Sequence, residues 1–129
     1  MASILEQVVT HLEFLGYQIT REEKFVRAKH EKNLNLVVQS FNSGVLFTAF
    51  LSSNDLAKRD MLGFLECANT MNQKALIPRF YKDKDGDLVI EAWYPHIYDR
   101  GQFGLFMEQL NNDMRLVFND EIGFPRYWA

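Results

Sequence analysis

The seven residues from Val45 to Leu51 are apolar on both of their alternating sets. Val45, Phe47, Ala49 and Leu51 form one set, and Leu46 and Phe50 flank Thr48 in the other. An extended chain sends successive side chains to opposite faces. A strand in a sheet covered on one side should therefore alternate apolar with polar, and this one does not. Leu88 to Tyr94 repeats the pattern, with Leu88, Ile90 and Ala92 opposite Val89, Glu91 and Trp93. The run before it sets Ile77, Arg79 and Tyr81 opposite Leu76, Pro78 and Phe80. Any fold for this chain has to dispose of two apolar sheet faces.

Around these strands the remaining elements read in order. Ser3 followed by Glu6 has the form of a capping box, and Ile4, Leu5, Val8, Val9, Leu12 and Leu15 recur at helical spacing up to Gly16. Three strands are expected next, at Phe25–Lys29, Leu34–Phe41 and Val45–Leu51, with Asn42-Ser43-Gly44 as a turn. Ser53-Asn54-Asp55 supplies caps for a second helix, whose stripe runs through Ala57, Met61, Phe64, Leu65, Ala68 and Met71 and closes near Asn69 and Asn72. Gly63 inside it permits close packing. Two further strands, Ala75–Tyr81 and Leu88–Tyr94, flank an Asp-Gly hairpin turn, and Pro78 assigns the first of them to an edge or a bulge. The last helix starts at Asp99 and carries Phe103, Phe106, Met107, Leu110, Met114, Val117 and Phe118. The fold class is α+β: helix, three strands, helix, two strands, helix, with a five-stranded antiparallel sheet packed against helices in a single domain of residues 1–129.

At 129 residues the chain can bury a core without disulfides or metal. Its net charge of −3 argues against a nucleic-acid partner, although Lys24, Arg27, Lys29 and Lys32 form a local basic hairpin whose plain reading is a solvated turn. No apolar run approaches the length of a membrane span, and Met1 to Glu6 lacks the features of a secretion signal. With Cys67 as the only cysteine, this reads as a cytoplasmic protein.

No chemical constellation emerges. Asp83-Lys84-Asp85-Gly86-Asp87 sets carboxylates two apart, but Gly86 precedes the third acid and Tyr94 stands where a calcium loop needs its bidentate Glu. A polar hairpin turn is expected there. His11, His30 and His96 are unpaired in sequence. His11 is expected at a surface or boundary, and His96 within reach of Asp99. Cys67 follows helical spacing with Leu65, Ala68 and Met71, as a buried inert thiol would. Neither a catalytic residue, a metal site nor a cofactor is expected.

Several stretches together carry a family resemblance: Ala68-Asn69-Thr70-Met71-Asn72, Pro78-Arg79-Phe80-Tyr81, Asp85-Gly86-Asp87-Leu88 and the last amphipathic helix. The chain resembles the YbjN-like family, described as proposed bacterial sensory transduction regulators, and more broadly the type III secretion chaperone-like fold. The resemblance spans roughly residues 4 to 118. It implies no catalytic residue and no cofactor. For the chaperone branch it implies a homodimer that binds an extended segment of a partner protein.

Two readings of the second sheet face remain open. Helices or the tail aromatics Phe124, Tyr127 and Trp128 could cover it, or it could be a surface for a second copy or a peptide. On the second reading Leu46, Phe50, Arg79, Tyr81 and Trp93 are the binding residues, in a homodimeric protein-binding or regulatory domain. The alternative function is small-molecule sensing in a pocket between the sheet and the C-terminal helix.

Overall fold

A computed structural model describes residues 2–128. Helix α1 spans Ile4–Phe14, and the Glu6 amide donates to Ser3 Oγ at 3.1 Å. Only half of the capping box forms, because the Glu6 carboxylate turns instead to Arg21, which holds it through two bonds of 2.8 Å. The strands are β1 (Gln18–Arg21), β2 (Val26–Lys29), β3 (Leu36–Phe41), β4 (Gly44–Leu51), β5 (Arg79–Lys82) and β6 (Leu88–Tyr94). They form one antiparallel sheet in the order β1-β2-β3-β4-β6-β5.

The sheet has six strands, not five. The additional one, β1, pairs with β2 from Gln18↔Lys29 to Arg21↔Val26. It has one apolar side chain in four and lies at the sheet edge, so neither alternation nor an apolar run marks it. Strand β5 also begins later than expected, at Arg79, immediately after Pro78. It is an edge strand, as that proline requires.

The expected second helix is two helices, α2 (Asp55–Arg59) and α3 (Met61–Lys74). Asp60 breaks them apart with φ −119° and ψ 65°, and its carboxylate accepts from the Gly63 amide at 3.0 Å to cap α3. Ala57, Met61 and Phe64 keep helical spacing across the break, which is why the stripe reads as continuous. Helix α4 covers Arg100–Met114, and Arg115–Phe118 continues it as a tighter 3-10 turn.

A second 3-10 turn, Phe124–Tyr127, follows Gly123, whose φ of 81° only glycine adopts freely. It seats Phe124 and Tyr127 against Phe64 of α3, with ring centres 5.4 and 6.0 Å apart. Tyr127 Oη donates to Asp60 at 2.7 Å, and Gly63 is the small residue that leaves room for that hydroxyl.

The helices and this tail share one core with the inward sheet set: Val26 and Ala28, Leu36 and Val38, Val45, Phe47, Ala49 and Leu51, Phe80, and Leu88, Ile90, Ala92 and Tyr94. The tail aromatics therefore cover the helical side. Among the described residues, neither helix nor tail packs on the opposite face of the sheet.

Candidate functional site

Pairing across the sheet sets the outer side chains in rows. One row runs Arg27, Val37, Thr48, Glu91, Arg79 from β2 to β5. Beside it lie Gln39, Leu46 and Trp93 on one flank and Phe50, Val89 and Tyr81 on the other. Leu46, Phe50, Arg79, Tyr81 and Trp93 are thus brought together on one surface, each on the face expected of it. Phe50 is 59% exposed, Trp93 45% and Tyr81 37%. Leu46 is half-buried, while Thr48 and Val89 are buried between their neighbours.

Phe41, 52% exposed, belongs to the same face and is not among the residues expected there. Its place at a strand end beside Ser40 hides the alternation. The turn after it also differs in detail from expectation. Asn42 and Ser43 take the positive φ values, 50° and 66°, as in the two-residue turn that matches strand twist. Gly44 serves another purpose. A Cβ there would collide with the Tyr94 carbonyl oxygen and lie 2.7 Å from the Trp93 ring, so glycine is what lets the indole pack over β4. Trp93 Nε1 then donates to the Phe41 carbonyl at 2.8 Å, which fixes the ring at the surface.

At the β5 end, Arg79 is ion-paired with Glu91 and lies 5.5 Å from the Tyr81 ring centre. Tyr81 Oη donates to the other Glu91 oxygen at 3.1 Å. Partial burial, and then its bond to the Glu91 carboxylate, push the Tyr81 hydroxyl pKa up. Arg27 and Lys29 are exposed at the β2 end. Two shallow depressions lie on this face. One of about 350 Å³ is bordered by Thr20, Arg27, Lys29, Val37 and Phe50, and another of about 520 Å³ by Phe41, Leu46, Arg79 and Trp93.

The remaining candidates are absorbed by structure. Asp83 Oδ1 accepts from the amides of Asp85 and Asp87 at 2.9 and 3.0 Å, and Asp87 accepts from the Ser53 amide at 2.8 Å. The acidic string is a self-tied turn. Among the described residues no three His, Cys, Asp or Glu side chains converge as a metal site. Cys67 is buried, donates to the Ile122 carbonyl at 3.2 Å, and has its thiol pKa pushed up by burial. His96 is exposed, and Asp99 uses its carboxylate to cap α4 through Gln102 at 2.8 Å. His11 is buried rather than at a boundary, sharing a 2.8 Å hydrogen bond with Tyr98 and packing edge-on to Phe103. Between sheet and α4, where a small-molecule pocket was an alternative, the rings of Phe47, Tyr94, Phe103 and Phe106 lie 5.0–6.0 Å apart. No described helix is long and apolar enough to cross a membrane.

No protein-family model matches the sequence, and no curated protein matches it significantly. Solved structures do match. YbjN from E. coli, a proposed transcription regulator, aligns over 97% of this chain and 95% of its own with a TM-score of 0.75 at 15% identity. The fold is that of YbjN. A chain of the heterodimeric ExoU–SpcU complex from the type III secretion system of Pseudomonas aeruginosa also matches, at TM-score 0.50 and 18% identity over 84% of this chain and 93% of that one. The expected YbjN-like, secretion chaperone-like architecture is therefore met, and at such identities the likeness is one of fold.

Proposed function

We propose that this chain is a non-enzymatic protein-binding domain that docks through its outer sheet face, and that a second copy of the chain is the first occupant. The observation that carries the reading is the exposed aromatic group Phe41, Phe50, Tyr81 and Trp93 on a face that no described helix covers. Aromatic and Arg side chains dominate interface energetics, and exposed apolar groups rimmed by polar ones mark interaction surfaces. A two-fold contact needs knobs and holes on the same patch. Here exposed Phe50 and Trp93 border the two depressions, which favours self-pairing of the sheets as in a sandwich. The ExoU–SpcU neighbour, itself part of a heterodimer, is consistent with a fold used to hold protein.

Size-exclusion chromatography with light scattering tests this on the wild type, Phe50→Asp and Trp93→Asp. The wild type should elute as a dimer and both variants as monomers with unchanged helical circular dichroism. Dimeric variants, or variants that unfold, would remove the outer face from the interface.

A further inference from the structure

The β5 edge of the sheet is closed by a side chain of α3. In its pairing with β6, β5 directs the backbone groups of Phe80 and Lys82 away from the sheet, since Asp83 donates inward to Asp87 at 2.9 Å and the alternate residues must point outward. An exposed row of such groups is a template for another strand. At Phe80 the template is already occupied. Asn72, from α3, accepts from the Phe80 amide through Oδ1 at 2.8 Å and donates from Nδ2 to the Phe80 carbonyl at 2.9 Å. One side-chain amide thus makes the donor–acceptor pair that a neighbouring strand would make. Pro78, two residues earlier, has no amide to offer.

We propose that Asn72 is a lock on the β5 edge, filling its strand-pairing position so that β5 of a second copy cannot add there. A second copy is the occupant the register favours. Antiparallel pairing centred on Phe80 would set Arg79 opposite the Tyr81 of its partner in both directions, with no like charges facing each other. Closing this edge limits the sheet to the chain's own six strands on the β5 side.

Asn72→Ala and Asn72→Asp test the lock by sedimentation velocity over a wide concentration range, with circular dichroism to verify folding. Asp keeps the shape and the bond from the Phe80 amide but frees the carbonyl, so it carries the comparison should Ala not fold. The opened variant should associate beyond the state of the wild type as concentration increases, its mass rising above the wild type's at the same concentration. Adding Lys82→Pro, which removes an outward amide without breaking the ladder, should reverse this. A folded variant that keeps the wild-type mass at every concentration would overturn the proposal, as would association that survives Lys82→Pro. Both results are independent of whether the outer face dimerises, because every variant is read against the wild type.

Discussion

His11 shows how far a single residue can depart from its sequence reading. It lies beside the α1 stripe rather than on it, yet Tyr98 and Phe103 close over it, with the Arg100 guanidinium above the neighbouring Phe14 ring at 4.8 Å. Burial first, and the charge of Arg100 second, hold its pKa below the ordinary 6.5. The folded state therefore binds fewer protons than the unfolded one once the pH drops under that value. Stability is fully present above 6.5 and is lost progressively as the pH falls from there towards the depressed folded value. Urea melts between pH 7.5 and 5.5 (~1 unit either side of an ordinary imidazole) should show this decline, and His11→Gln should flatten it. An unchanged slope in the variant would assign the acid sensitivity to other groups. The partner that makes His11 buried, Tyr98, is 87 residues away. Such a contact leaves no trace in local spacing.

At the scale of elements, β4 carries the clearest contrast. Phe47 and Phe50 sit three apart on one strand, one sealed against Phe103 and Phe106, the other more than half exposed on the outer face. Phe47→Ala should cost about 3–5 kcal/mol, the usual loss for a buried Phe. Phe50→Ala measured below the concentration at which copies associate should cost under ~1 kcal/mol. Chemical denaturation checks both, and equal costs would mean that something covers Phe50. Strands with strong side-chain alternation, and helices with long stripes, are legible in the amino-acid sequence. The failures share one cause: β1 and the α2–α3 break are defined by partners distant in the chain or by a side-chain cap that helical and strand spacing does not encode. Gln18–Arg21 is a strand because β2 is beside it, and α2 stops because Asp60 bonds Gly63 and Tyr127 instead of continuing the helix.

At the scale of the molecule, period-two parity correctly assigns every candidate binding residue to a common face. Whether that face is covered cannot be read from parity, since coverage depends on where the tail and helices pack. Phe124 and Tyr127 go to the helical side, which leaves Phe50, Tyr81 and Trp93 in the open. A large helical-side residue offers an internal control, because Phe14 is 71% exposed yet far from the outer face in the fold. Hydroxyl-radical footprinting during dilution measures the central claim directly. Phe50, Tyr81 and Trp93 should be protected in concentrated solution and become reactive on dilution, while Phe14 reacts equally throughout. Constant reactivity at the three outer residues, with protection appearing at Phe14 instead, would contradict the outer face as the docking surface.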